Sequence, residues 1–206
     1  CVDEDCLGPV LLENPGFEQG GVCMPNTPQT AGGDGNTLTP LAPGWYDYFY
    51  TTADSYNSCA DFDLKQEVPQ RASTNEFTTI CSRNGKGMAG IFAVIGSDYR
   101  EHQSGPLSEP LVPGEPYLVS YYLACRPFSA FHPVNGFGAL LTTGAPTTVQ
   151  DLVPQVLDLR IIDGEEWQNI CSVIVADQAY DHITIGNFLE FQEQSYYGNT
   201  ANASYY

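Results

Sequence analysis

The sequence predicts an all-β, antiparallel domain, a sandwich or a barrel, and three observations carry that reading. Stretches such as "YLVSYYLAC" (117–125) and "WQNICSVIV" (167–175) alternate with a period of two, as half-buried strands do. Turn residues separate such stretches, with Pro113-Gly114 and Asp163-Gly164 as examples among 20 Gly and 15 Pro. No periodicity of three or four residues persists, so no helix is expected. Thirteen Tyr and ten Phe suit a pleated, half-buried surface. A chain of 206 residues has the length of one all-β domain and can bury a core.

Taken in order, residues 1–8 read as a short acidic tail and 9–206 as the domain. "PVLLENPGFEQG" (9–20) reads as a strand followed by a turn at Asn14-Pro15-Gly16. Residues 20–44 read as a long loop, closed by the aromatic stretch "APGWYDYFY" (42–50). A loop of that length in a compact domain points to function. Residues 52–86 form a second polar stretch. Strands are expected at 88–95, 105–112 (weakly), 117–125, 136–142, 155–162, 167–175 and 182–189. The longest apolar run, "MAGIFAVIG" (88–96), fits a buried strand and is too short to cross a bilayer as a helix. The absence of a signal peptide reads as a mature chain. "NASYY" (202–206) reads as the start of a strand left unfinished. A sandwich without its last strand has an unpaired edge, so another segment or chain would cover it, or the sequence continues.

Charge and cysteines narrow the class. Seven basic against 25 acidic residues give a net charge of −18, which excludes a nucleic-acid partner because phosphate binding needs Lys and Arg. The seven cysteines, Cys1, Cys6, Cys23, Cys59, Cys81, Cys125 and Cys171, form no C-x-x-C motif. They point to an exported, oxidised protein rather than a zinc ribbon. An odd count leaves one over. A lipid on Cys1 would leave six for three bridges; the alternative is that Cys1 itself is disulfide-bonded. By the period-two rule Cys125 shares a face with Tyr117, Val119, Tyr121 and Leu123. Cys171 shares one with Trp167, Asn169, Val173 and Val175. Each is assigned to the more apolar face of its strand, which favours a Cys125–Cys171 bridge. Cys59–Cys81 would close a polar loop and Cys6–Cys23 would pin the N-terminal segment.

Little in the chain suggests catalysis. His102, His132 and His182 lie in no metal-binding pattern, and no G-x-S-x-G elbow occurs. Asp61 with Asp63, and Glu165 with Glu166, sit in polar turns rather than as a facing acid and base. Arg100 and Glu101 read as a structural pair, and His182 as an outward-facing strand residue beside inward Ile183 and Ile185. The aromatic clusters are more informative. Trp45, Tyr46 and Tyr48, with Phe128, Phe131 and His132, are the candidate residues for stacking on sugar rings or packing on a protein partner. Core packing is the competing reading, for Trp45 above all. The late tyrosines Tyr196, Tyr197, Tyr205 and Tyr206 would suit an interface.

Several segments in their order resemble a known family. They are "NPGFE" (14–18), "APGWYDYF" (42–49), "GKGMAGIF" (85–92), "YREHQSGPLSEPLVPGEPYLVSYYLA" (99–124), "WQNICSVIVA" (167–176) and "DHITIGNF" (181–188). Over about residues 9–206 the chain resembles the jelly-roll module at the start of many surface and outer-membrane-linked proteins of the Bacteroidota. The resemblance implies an antiparallel jelly-roll β-sandwich, similar to the galactose-binding-like domain, with long disulfide-pinned loops. It implies export and non-catalytic binding of a glycan or a surface protein. The alternatives are a structural or accessory subunit of an outer-membrane assembly or extracellular fibre and, third, a glycan-active enzyme. No cofactor is required by this reading. In related jelly rolls a structural calcium bridges an N-terminal Glu loop and a C-terminal acidic strand. Glu18 stands at the matching position, while the acidic strand is absent from this sequence. "CVDED" (1–5) is similar to the start of a surface lipoprotein, with Cys1 as the lipid attachment. Membrane contact would then run only through that lipid, on the extracellular face of the outer membrane; otherwise the protein is secreted.

A lipid on Cys1 is expected to make the native N-terminal peptide heavier than its sequence mass by its acyl chains. Mass spectrometry returning the bare sequence mass, or a disulfide-linked Cys1, would contradict it.

Overall fold

A computed structural model describes residues 8–19, 29–30, 40–46, 48–49, 53–57, 65–69, 77–81, 83–85, 87–95, 99–125, 133–147, 153–164, 166–190, 194 and 203–206. Among these residues the chain is all-β, with no helix. The first strands are β1 (Gln29–Thr30), β2 (Pro40–Ala42), β3 (Trp45–Tyr46), β4 (Asp54–Asn57), β5 (Lys65–Pro69) and β6 (Phe77–Cys81). Then come β7 (Gly87–Gly90), β8 (Phe92–Ile95), β9 (His102–Pro106), β10 (Pro116–Leu123) and β11 (Phe137–Thr142). The last are β12 (Val156–Asp158), β13 (Gln168–Val175), β14 (His182–Asn187) and β15 (Ala203–Tyr205).

The largest sheet has six strands in the order β12-β11-β14-β9-β3-β2, all antiparallel. Facing it is the pair β10–β13, joined along eight residues from Pro116↔Val175 to Leu123↔Gln168. The core fills the space between. Phe137, Ala139, Leu141, Val156 and Ile183 enter from the large sheet, and Val119, Leu123, Ile170 and Ile174 from the pair. Alternation supplies this division. Residues at every second position point one way, so a single register assigns a whole face to the core. Burying each of the Phe, Leu, Ile and Val side chains contributes about 1.5–3 kcal/mol. The layout is sandwich-like.

The expected strands at 117–125, 136–142, 167–175 and 182–189 are present as β10, β11, β13 and β14. The turns between apolar runs also hold: Gly114 and Gly164 adopt φ of 91° and 88°, open to glycine at little cost. Other expectations change. The single strand at 88–95 is two, β7 and β8, divided at Ile91. β7 pairs with β4, whereas β8 pairs with β15. The strand expected near residue 9 is one bridge, Leu12↔Leu107, and the weak strand 105–112 lies earlier, as β9. The strand at 155–162 shortens to β12. The polar stretches 20–44 and 52–86 carry β1, β2, β4, β5 and β6.

The unfinished strand is a paired one. β15 lies antiparallel to β8, and the Tyr206 backbone exchanges both hydrogen bonds with Ile91, at 2.7 and 2.9 Å. The Tyr206 ring is buried against Phe137, centroids 4.2 Å apart. Its hydroxyl accepts from Val134 N at 2.6 Å and lies 3.0 Å from the carbonyls of Val134 and Ile162, to one of which it donates. Tyr206 is a core residue, not an interface cover.

The cysteines require a correction. Cys125 is on the core face as expected, fully buried, and is a free thiol. Cys171 is disulfide-bonded, and therefore to a cysteine other than Cys125. The face assigned to Cys171 was wrong by one residue. Ile170 and Ile174 point inward, so Cys171 shares the outer face with Val173 and Val175, which are 60% and 64% exposed. Cys171 sits opposite Ser120, roughly 15 Å along the strand from Cys125. A disulfide needs Cα atoms within about 7 Å. Both distance and face forbid the bridge. Cys1, Cys6, Cys23 and Cys59 lie outside the described residues, and Cys81 is described only in its backbone at the end of β6.

Peptide mapping without reduction is expected to find Cys171 in a cross-linked peptide and Cys125 alkylated only after unfolding. A Cys125–Cys171 peptide would contradict the register of β10 and β13.

Candidate functional site

The aromatic stretch 45–49 straddles the edge of the large sheet. β3 joins β9 at Tyr46↔Ser104, and alternation sends Trp45 inward and Tyr46 outward. Trp45 is 4% exposed and stacks on Phe17, centroids 4.9 Å apart and 24° between planes. Its Nε1 donates to the Asn14 carbonyl at 3.0 Å. The "NPGFE" turn builds this seat. Asn14 and Phe17 both take positive φ, 50° and 58°. The Asn14 side chain holds the turn by accepting from Gln19 N at 2.8 Å and donating to Gln19 O and Pro43 O at 2.8 and 3.1 Å. Trp45, named as a binding candidate, is thus a core anchor.

The face of the large sheet away from the core is polar and aromatic. Register places Thr142, His182 and Pro106 in one row. Ser104, Thr184 and Tyr46 form the next, and Gly138, Gly186 and His102 a third. The Tyr46 and Tyr48 rings lie 5.5 Å apart at 32°, and Tyr48 meets His182 edge-on at 6.0 Å. All three side chains are partly exposed. His182 Nδ1 is 2.7 Å from Asp181 Oδ1. A carboxylate oxygen only accepts, so Nδ1 donates in that bond. Asp181 Oδ1 also accepts from Gly144 N at 2.5 Å, and Thr142 Oγ1 donates to Gly144 O at 2.9 Å. Those two donors, His182 first, hold the Asp181 carboxyl below the usual range. Partial burial, with Tyr46 adding, raises the Tyr48 phenol.

The row of His102 is closed. His102 is 1% exposed, with its ring between Phe49 and Phe188 at 5.4 and 5.3 Å. It lies directly on Gly186, where a Cβ would stand 2.2 Å from His102 Cδ2. Its Nε2 donates to the Asn187 carbonyl at 3.0 Å. Nδ1 is buried without a partner, and burial lowers the imidazole to about 4. Between them, Ser104 Oγ and Thr184 Oγ1 bond at 2.7 Å under the tyrosines' row.

The remaining candidates separate. Glu101 is fully buried, accepting from Phe92 N at 2.8 Å and from the Tyr99 hydroxyl at 3.0 Å, while Arg100 donates to Leu189 O at 2.6 Å. Both serve the frame. Glu18 Oε1 accepts from Gly87 N at 3.0 Å, and its carboxylate occupies the space a Cβ at Gly85 would need. Glu18 thereby holds Gly87 and lies against Gly85. Among the described residues no three His, Cys, Asp or Glu converge as a metal site. Phe128, Phe131 and His132 lie outside the described residues.

The structure therefore brings Tyr46 and Tyr48 together, removes Trp45 to the core, and adds His182, Asp181 and Thr142. The sequence did place His182 outward. It did not mark Asp181, although an Asp-His pair opening a strand is a local cue that the carboxylate can reach the outward ring. No family model matches the chain, and no curated protein matches it.

His102 also sets a pH response. Unfolded, its pKa is 6.5; folded, about 4. Between those values the unfolded chain binds a proton that the folded one does not. Stability from this group is therefore complete above about pH 6.5 and falls as the pH drops toward 4, by up to about 3 kcal/mol. Urea midpoints of wild type and His102→Phe at pH 7 and 4.5 check this. The variant, lacking the bond to Asn187, is expected to lose about 1 kcal/mol at pH 7. It should lose distinctly less than wild type on acidification; equal losses would contradict it.

Proposed function

We propose that this protein is a non-catalytic binding module of the cell surface, built on a jelly-roll sandwich, and that its ligand is a glycan. The observation that carries the reading is the partly exposed Tyr46–Tyr48–His182 ridge on the outer face of the large sheet, with the Asp181 carboxylate beside it. Aromatic rings offer a flat apolar surface for the C–H face of a sugar, and adjacent polar atoms orient its hydroxyls. The disulfide at Cys171 supports an oxidising compartment. The resemblance of residues 9–206 to Bacteroidota surface modules, and of "CVDED" to a lipoprotein start, supports the location. A calcium at Glu18 belongs to the same resemblance and is not needed for the ligand face.

A protein partner in a surface assembly is the second reading. Val173 and Val175, on the outer face of β13, leave apolar side chains 60% and 64% exposed. That surface would suit a packed subunit.

A glycan array probed with soluble protein lacking Cys1 is expected to show saturable binding. Tyr48→Ala should weaken it about tenfold, the equivalent of one stacking contact, with little change in melting temperature. A blank array, or full binding by the variant, would contradict the glycan reading.

A further inference from the structure

Two polar groups beside the tyrosines offer acceptors. The Asp181 carboxylate takes bonds from His182 Nδ1, Gly144 N and its own backbone N–H, and with lone pairs on two oxygens it can still accept. With Nδ1 committed to donating, His182 Nε2 is likewise an acceptor in the neutral ring. Asp181 is 41% exposed and His182 16% in their side chains, so both reach solvent. Among the described side chains Arg83 lies on Tyr122 at 3.4 Å, Arg100 is tied to Leu189 O, and Arg160 is paired with Asp158. The chain as a whole carries −18.

From this we infer that the Tyr46–Tyr48–His182–Asp181 face takes an uncharged, hydroxyl-rich sugar and rejects acidic ones. The inference rests on the glycan reading above and assigns the class of glycan. A neutral pyranose fits on three grounds. Its C–H face covers the Tyr48 ring. Its hydroxyls can donate to these two solvent-reaching acceptors, and a hydrogen bond to the ionised carboxylate is among the stronger kinds. A uronate, sialate or sulfate ester would bring a negative charge to the Asp181 carboxylate, with no cation among the described side chains to receive it. The field of the whole protein would also oppose its approach, most of all at low salt.

Calorimetric titration of the full chain tests this with two sets of probes at low ionic strength. The neutral set is gluco-, manno-, galacto- and xylo-oligosaccharides; the acidic set is oligogalacturonate, a sialylated and a sulfated oligosaccharide. At least one neutral probe is expected to bind, with every acidic probe at least about tenfold weaker. Asp181→Asn is expected to weaken the neutral probe about tenfold. The wild-type comparison of the two sets decides the matter even where that variant folds poorly. Acidic probes binding as well as neutral ones would overturn the inference and leave the glycan reading standing. Binding of neither set would overturn both. An Asp181→Asn protein that folds and binds unchanged would remove Asp181 from the site and overturn the inference as stated.

Discussion

The register of β9, β14 and β11 is the constraint on which the rest of the structure depends. Ile183 faces Gly105 and Leu141, and Ile185 faces Gln103 and Ala139, so this parity lines the core. The other parity carries His102, Ser104, Thr184, His182 and Thr142. A slip of one residue would put two histidines and three hydroxyls in the core and expose the aliphatic row. The same rule divides Trp45 from Tyr46. One aromatic dipeptide thereby ties a strand to the core through Phe17 and Asn14 and begins the ridge on the far face.

The buried polar groups show how that parity is kept. Glu101 and Asn187 are fully enclosed, and each side chain bonds backbone groups at places where strands begin or end, among other partners: Phe92 N for Glu101, and Asn135 O with Leu189 N for Asn187. An enclosed polar atom without a partner costs about 1–3 kcal/mol, so such bonds specify where the chain turns. His102 fits the same scheme at one nitrogen only. Its neutral ring is held by Asn187 O, Gly186 and two phenyl rings. Its closed row is separated from the open row of His182 and Thr142 by the row of Ser104 and Thr184.

What could be read from the chain follows from how local each signal is. β10, β11, β13 and β14 have alternating or continuous apolar runs bounded by Gly114, Gly164 and similar turns, and were legible. β13 shows the limit: it is apolar at Ile170 and Ile174 and again at Val173 and Val175, so its pattern alone does not say which set is buried. Cys171 was placed on the wrong face for that reason. The division of 88–95 at Ile91 is set by Tyr206, a partner 115 residues away, and no local pattern carries it. β1, β4, β5 and β6 are polar strands without alternation. Within the site, Tyr46 and Tyr48 stood out by composition. The exclusion of Trp45 depends on its parity against Ser104 in β9, and the inclusion of Asp181 on a contact to Gly144 across a turn.

The central claim is that ligand meets the outer, open row of the large sheet and not its closed row. Imidazole 1H–15N spectra of the protein titrated with a bound oligosaccharide test it most directly. The His182 ring signals are expected to shift saturably while those of His102, enclosed by Phe49 and Phe188, stay in place. Saturable binding that leaves His182 unmoved would contradict the account.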